Sequence, residues 1–118
     1  MGKKKIVIPK NFLDNLPVRN KDIGWKTDDN GLVTLEIQNK GWANFLAQKL
    51  FKRPKISYVH LDQMGSFIWP LIDGGKTIRE YGPLVEARFG EEAKPLYERL
   101  ARYFQILKSY HFVEFEKQ

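Results

Sequence analysis

The residue types that could do chemistry are few in this chain and lie far apart. The 118 residues include no cysteine and two histidines, His60 and His111, so zinc–thiolate sites, disulfide frameworks and thiol nucleophiles are excluded. Neither histidine belongs to a metal-binding spacing, and no Asp or Glu cluster resembles a divalent-cation site. Catalysis needs a nucleophile beside a base, a metal set or paired carboxylates. We therefore expect no enzyme, no metal and no cofactor.

One glycine-rich stretch, Gly74-Gly75-Lys76-Thr77, is similar to the end of a phosphate-binding loop. The full motif has an earlier glycine where this chain has Pro70, and it follows a strand rather than a helix. The same residues are explained as a helix end followed by the capping box Thr77-Ile78-Arg79-Glu80. We therefore interpret the stretch as structural.

The positive charge of the chain is concentrated in its first half. The net charge is +6; residues 1–55 carry 12 Lys and Arg against 5 Asp and Glu, whereas residues 56–118 carry 8 against 9. A basic surface favours an acidic partner, either a nucleic acid or an acidic peptide, through steering that salt screens. Lysines that only keep the protein soluble are the alternative interpretation.

Length and composition predict a single soluble domain. Hydrophobic residues make up 42% and aromatic residues 14% of the chain, which is enough to fold a core. No apolar stretch approaches the roughly 20 residues of a membrane-spanning helix, and no signal sequence is recognisable, so we expect a cytoplasmic protein. Within the domain, 1–118, we distinguish an N-terminal arm (1–22) and a basic helical insert (41–53).

Three strands are predicted in the first half of the chain. Two apolar runs, 23–27 and 32–37, flank Asp28-Asp29-Asn30-Gly31, and Asn-Gly between such runs indicates a hairpin. The β-branched and aromatic residues of 55–61 predict a third strand. Its two faces are Ile56, Tyr58, His60 and Ser57, Val59, Leu61.

Two helices follow the third predicted strand. Asp62 is placed to cap a helix over 63–72, in which Pro70 should introduce a kink. The capping box at Thr77 should begin a second helix that ends at Gly90, with a kink or a break at Gly82-Pro83. Both helices carry apolar residues at helical spacing, so each should bury one face.

A third and longest helix is predicted over about Glu91 to Ser109, with Pro95 in its first turn. Residues 111–115 then alternate like a short terminal strand. The element order predicts an α+β, winged-helix-like fold in which a three-stranded antiparallel sheet packs on three helices. A short helical insert should precede the third strand.

The stretch from Leu61 to Ile78, followed by Phe89-Gly90-Glu91-Glu92 and residues 100–107, resembles the PqqD-like family. The members of this family are small domains that recognise precursor peptides in ribosomal peptide modification. The resemblance covers about residues 55–115. Its best marker is the run through Leu-Asp, an apolar helix and Ile-Asp-Gly into Thr-Ile.

The resemblance implies a non-catalytic peptide-binding adaptor. A precursor leader peptide would add as a strand beside the third strand, in the groove with the last helix, and would be presented to a separate modifying enzyme such as a radical-type enzyme. The peptide-binding residues expected from this arrangement are Ile56, Tyr58, His60, Arg99, Arg102, Tyr103, Ile106 and Tyr110.

Several alternatives stay open at this point. Ile106 and Tyr110 could simply cap the edge of the core, and the C-terminal strand, 112–115, could occupy the edge of the third strand. The function could instead be that of a nucleic-acid-binding winged helix that uses the basic first half. A scaffold for protein–protein interactions is a further alternative.

Overall fold

The computed structural model of the protein describes residues 11–38 and 56–116, and the basic insert expected at 41–53 lies outside them. Two sheets and three α-helices form the described part of the chain. The strands are β1 (Leu16–Arg19), β2 (Gly24–Thr27), β3 (Val33–Gln38), β4 (Ile56–His60) and β5 (Val113–Glu116), and the helices are α1 (Gln63–Ile68), α2 (Tyr81–Phe89) and α3 (Leu96–Ser109).

The three predicted strands form an antiparallel sheet in the order β2-β3-β4. The hairpin turn closes as its sequence predicts: Asp28 Oδ1 accepts the backbone N–H of Asn30 at 2.8 Å, and Gly31 takes the positive φ of 82° that glycine tolerates. Leu35, at the centre of β3, lies opposite Trp25 on one side and Val59 on the other. The three-stranded antiparallel sheet is confirmed.

A second sheet pairs β1 with β5, and the sequence did not predict it. Leu16 lies opposite Glu116 and Arg19 lies opposite Val113, so four residues assigned to the N-terminal arm form a strand. This pairing also decides whether the C-terminal strand lies at the edge of the third predicted strand. The C-terminal strand does not occupy the edge of β4, because β5 belongs to the other sheet.

Helix α1 begins as predicted and ends earlier than predicted. The Asp62 carboxylate caps it by accepting the Gly65 N–H at 2.8 Å. The α-helix ends at Ile68 and tightens into a 3-10 turn over Trp69–Leu71, since Pro70 has no N–H for the regular pattern. Trp69 is fully buried there.

The predicted capping box forms, but helix α2 begins at Tyr81 rather than at the box, because residues 77–80 form a turn with bonds between residues three apart. The Thr77 N–H donates to Glu80 Oε1 at 2.7 Å, and the Glu80 N–H donates to Thr77 Oγ1 at 3.3 Å. The prediction of a kink or break at Gly82-Pro83 is wrong, because both residues lie in the first turn, where the missing N–H of Pro83 removes no intrahelical hydrogen bond. Gly90 ends the helix with a φ of 60°.

Helix α3 is the longest helix of the described residues, but it begins at Leu96 rather than near Glu91. A separate 3-10 turn occupies Gly90–Ala93, and Pro95 lies just before the helix in an extended conformation. The predicted start is therefore wrong by about one turn and a half. Helix α3 contributes Leu100, Phe104 and Leu107 to the core.

One hydrophobic core joins the three helices to the inner face of the three-stranded sheet. Its largest fully buried side chains are those of Trp69, Tyr81 and Phe104. The α+β class with three helices packed on the sheet agrees with the prediction, whereas the winged-helix-like arrangement stays a prediction. Sheet and helix α3 converge beside β4, where a groove opens.

Candidate functional site

An open groove of about 820 Å³ lies between β4 and the second half of α3. We call it the β4–α3 groove. One wall is formed by the strand and the residues around its end, and the other by the helix and the residues that follow it. The lining side chains used below are Ser57, Val59, Leu61, Tyr103, Ile106 and Tyr110.

The strand wall of the groove is the face of β4 that points toward the core. Val59 lies opposite the fully buried Leu35, and directly paired residues share one face of a sheet. Val59 is half-buried, whereas Ile56 and Tyr58 are exposed on the other face. Strand alternation therefore directs apolar side chains into the groove.

The outer edge of β4 presents main-chain hydrogen-bonding groups. The Leu61 N–H donates to the Val33 carbonyl at 2.9 Å, and bonded pairs alternate along an antiparallel ladder. The N–H and C=O groups of Tyr58 and His60 therefore point away from β3. Within residues 11–38 and 56–116 no strand pairs with this edge.

A buried hydroxyl fixes the end of β4 to helix α1. Ser66 Oγ accepts the Val33 N–H at 2.8 Å and donates to the Leu61 carbonyl at 3.3 Å. The hydroxyl thus stands between two backbone groups that would otherwise bond directly in the ladder. Ser66 is only 5% exposed, so the bridge lies within the core and anchors the strand wall.

The helix wall begins with Tyr103, whose hydroxyl and ring both contact neighbouring residues. Its hydroxyl donates to the Gly65 carbonyl at 3.0 Å, and its ring meets Phe104 edge to face with centroids 5.1 Å apart. Burial, and then the negative charge of Asp62, raise the pKa of Tyr103 far above its ordinary value. The hydroxyl therefore remains a donor at neutral pH.

Two apolar side chains on the helix wall face solvent. Ile106 is 45% exposed and Tyr110 is 65% exposed, and the Tyr110 ring stacks on Phe112 with centroids 5.5 Å apart. Together with Val59 and Leu61 they give the groove an apolar lining. A continuous apolar surface of this kind in a small protein commonly marks a binding site.

The match to known proteins falls on these same elements. The family model described as Coenzyme PQQ synthesis protein D (PqqD) matches residues 50–113, which is more than half of the 118 residues. The chain belongs to the PqqD family. The matched part of this PqqD-family protein contains β4, all three helices of the described residues and therefore both walls of the β4–α3 groove.

No curated protein and no solved structure gives a match to this PqqD-family chain. Among the described residues, no helix is long and apolar enough to cross a membrane. The same residues include no group of three or more His, Cys, Asp or Glu side chains that could hold a metal ion.

The eight residues predicted to bind a peptide fall into three groups in this PqqD-family protein. Four of them line the β4–α3 groove, and two lie on β4 with side chains on its exposed face; the two arginines lie elsewhere on α3. The groups are His60, Tyr103, Ile106 and Tyr110; Ile56 and Tyr58; and Arg99 and Arg102.

The two arginines contribute no side chain to the groove. Arg99 Nη1 donates to the Glu92 carbonyl at 2.6 Å, and Arg99 lines a separate polar pocket with Asp62 and Gln63. Arg102 is exposed and lines neither of these pockets. His60 lies at the groove margin, where its Nδ1 is 2.9 Å from Thr34 Oγ1.

Sequence reasoning missed the residues that form most of the strand wall. Ser57, Val59 and Leu61 line the groove, although the peptide-binding prediction named the opposite face of the strand. The alternation of apolar and polar residues gave no signal here, because each face of the strand has one polar residue, Ser57 or His60, beside two apolar ones.

Proposed function

We propose that this PqqD-family protein is a non-catalytic adaptor that binds a precursor leader peptide and presents it to a separate modifying enzyme. The observation that carries the proposal is the outer edge of β4, with which no strand of the described residues pairs, beside the apolar β4–α3 groove. Family membership supports a role as an accessory protein in the synthesis of a peptide-derived cofactor or related product.

The peptide would add to the sheet as a neighbour of β4. The main-chain groups of Tyr58 and His60 would bond to it, and such bonds give affinity without depending on sequence. Because β4 has five residues, a segment of about five peptide residues would pair along it. Flanking peptide residues would lie beyond the ladder.

Specificity would come from the side chains of the peptide that point toward α3. Alternate residues of an added strand share one face, so every second side chain would enter the groove between Val59 and Ile106. Apolar side chains at these positions would displace water from the lining formed with Tyr110. We therefore expect a leader segment in which apolar residues alternate with polar ones.

The experiment is a titration of the isotope-labelled protein with candidate leader peptides, taken from short reading frames near its gene, followed by backbone amide shifts. We expect shifts to concentrate in residues 56–61 and 103–110. Shifts confined to the remainder of the protein would contradict the groove assignment. A peptide that binds in an extended conformation should also protect the amides of Tyr58 and His60 from hydrogen exchange.

Two matched variants separate groove contacts from general effects. Ile106→Ala removes an exposed aliphatic side chain from the groove, and Leu84→Ala removes one of similar exposure, 37%, from helix α2. Ile106→Ala should lower the affinity for the peptide by about tenfold, which corresponds to roughly 1.4 kcal/mol of binding free energy from lost apolar contact. The second should leave the affinity unchanged.

Presentation to an enzyme requires its own test. A modifying enzyme encoded beside this gene should process the peptide faster when the protein is present. Ile106→Asp should remove that acceleration, because a carboxylate in the apolar groove must be desolvated when a peptide binds. The rate of the enzyme without the adaptor provides the baseline, and an acceleration that persists with this variant would contradict the proposal.

The charge distribution supports a peptide partner over a nucleic acid. The described residues contain all 14 Asp and Glu of the chain but only 10 of its 20 Lys and Arg. The described residues therefore carry more acidic than basic side chains, 14 against 10, which favours a peptide over a phosphate-rich partner for this part of the chain. The basic residues that motivated the nucleic-acid alternative lie mainly outside the described residues.

A further inference from the structure

A further pocket, of about 340 Å³, lies near β2, at the opposite edge of the three-stranded sheet from β4. We call it the Arg19 pocket. It is lined by Arg19 and Lys21 from the end of β1 and its following loop, by Trp25 of β2, and by Asp73. It shares no residue with the β4–α3 groove, so the inference drawn from it does not rest on the proposed function.

Arg19 is held in this pocket with unused hydrogen-bonding capacity. The guanidinium carbon lies 5.3 Å from the centroid of the Trp25 ring, which is a cation–π contact. Its Nη1 atom is buried and has no hydrogen-bond partner among the described residues. Buried polar groups are nearly always paired, so this donor points to a partner outside the described residues.

No acidic side chain of the protein satisfies Arg19. All 14 Asp and Glu residues belong to the described part of the chain, and none of the ion pairs found there includes Arg19. Asp73 lines the same pocket, but its Oδ1 accepts the Gly75 N–H at 2.9 Å. The guanidinium therefore forms no ion pair with an acidic side chain, and Asp73 is the negative charge that shares its pocket.

The loop that carries Lys21 is fixed before any ligand arrives. The Asn20 N–H donates to the Phe112 carbonyl at 2.9 Å, and Asn20 Nδ2 donates to the His111 carbonyl at 2.9 Å. Asn20 Oδ1 in turn accepts the Asp22 N–H at 2.9 Å. A second cationic residue thus stands beside Arg19 on an ordered turn, which lowers the entropic cost of binding.

We propose that Arg19, Lys21 and Trp25 form a binding site for a carboxylate group. The planar guanidinium fork matches a carboxylate in shape and charge. The negative charge of Asp73 in the same pocket favours a singly charged group over a doubly charged phosphate. The carboxylate belongs either to an acidic side chain of a protein partner or to a free small molecule, and Ile23 and Trp25 offer apolar surface for the adjoining carbon atoms.

The test follows the Trp25 indole N–H and the backbone amides of residues 18–25 in the full-length protein by NMR. The probes are glutarate, the peptide acetyl-Gly-Glu-Gly-amide and its neutral match acetyl-Gly-Gln-Gly-amide. We expect saturable shifts with the carboxylate probes and none with the neutral peptide. Saturation by the Glu peptide alone would identify a protein segment as the source, and saturation by glutarate alone would identify a free carboxylate.

Variants assign the binding to the guanidinium. Arg19→Gln should weaken binding by about tenfold or more, as expected for loss of a charge-assisted hydrogen bond. Arg79→Gln removes an arginine whose Nε pairs with Asp14 at 3.2 Å outside this pocket, and it should change nothing. Asp73→Asn should strengthen binding several-fold by removing the competing charge.

Three results would overturn the carboxylate site. They are the absence of a saturable shift at Trp25, equal binding of the Glu and Gln peptides, and unchanged affinity in Arg19→Gln. Should Arg19→Gln fail to fold, as judged by circular dichroism, Arg19→Lys and Asp73→Asn decide the question. The lysine variant keeps the charge but loses the two-pronged geometry, so its affinity should also fall.

Discussion

Replacing Ser66 by alanine tests the bridge that anchors the strand wall of the groove. The variant removes one oxygen atom from a site that is 5% exposed, and it leaves the backbone and the neighbouring side chains unchanged. Two hydrogen bonds disappear, those of 2.8 Å from the Val33 N–H and of 3.3 Å to the Leu61 carbonyl.

The expected loss in the free energy of unfolding follows from the Val33 N–H, which the substitution leaves without its partner. A buried donor without a partner costs about 1–3 kcal/mol, and the longer bond to the Leu61 carbonyl adds a smaller loss. We therefore expect Ser66→Ala to lower the free energy of unfolding by about 2–3 kcal/mol. That is a large part of the roughly 5–15 kcal/mol that a domain of this kind has.

Urea denaturation followed by circular dichroism measures this loss, with the slope m expected to stay constant. Ser109→Ala is the matched control, because its hydroxyl donates at 2.7 Å to the Ile106 carbonyl but lies at the exposed end of α3. The control should change the unfolding free energy by about 0.5 kcal/mol or less.

A loss below about 0.5 kcal/mol in Ser66→Ala would refute the reasoning. It would mean that the Val33 N–H reaches the Leu61 carbonyl directly once the hydroxyl is gone, so that the ladder closes by itself. The serine would then have no anchoring role, and peptide affinity should also be unchanged. If the bridge matters, the same variant should weaken peptide binding, since the position of β4 becomes less well defined.

Three further predictions concern stability and ionisation. Trp69→Ala should lower the free energy of unfolding by about 3–5 kcal/mol in a urea melt, because the side chain is fully buried in the core. Gly82→Ala should lower the free energy of unfolding more in the natural chain than in a Tyr97→Ala background, because an added Cβ would lie 2.5 Å from the Tyr97 hydroxyl. Urea melts of the two single variants and the double variant measure this coupling. Lys108→Gln should raise the pKa of Glu114, which the hydrogen bond from Lys108 holds below its ordinary value; an NMR titration of the Glu114 carboxylate follows it, and any stabilisation from this pair is lost as the pH falls through that pKa.

Elements specified by neighbouring residues could be predicted from the sequence. The Asn30-Gly31 hairpin turn, the Asp62 cap and the Thr77 capping box each involve residues within four positions of one another, and all three are present in the structure. Their chemistry is local, so a short stretch of sequence contains it. The positions of the hairpin and of helix α1 followed from these signals.

The elements that depend on distant partners could not be predicted. Strand β1 has four residues, includes Pro17, and pairs with a strand almost one hundred positions later, so neither its length nor its composition marks it as a strand. The start of α3 was misplaced because Glu91 and Glu92 suit the first turn of any helix. The family resemblance indicated the strand and the helix between which the β4–α3 groove lies, but it did not show which face of β4 turns inward, and peptide binding in this groove stays a prediction.

The open edge of β4 has a consequence for the protein when it carries no peptide. Monomeric proteins usually protect such an edge with charged side chains or proline, yet residues 56–60 read Ile-Ser-Tyr-Val-His and contain no Lys, Arg, Asp, Glu or Pro. An edge of this composition is a template for aggregation, and a second copy would compete with a leader peptide for the same backbone groups. A peptide bound as proposed would cover this edge and so keep the protein monomeric until the peptide passes to the modifying enzyme.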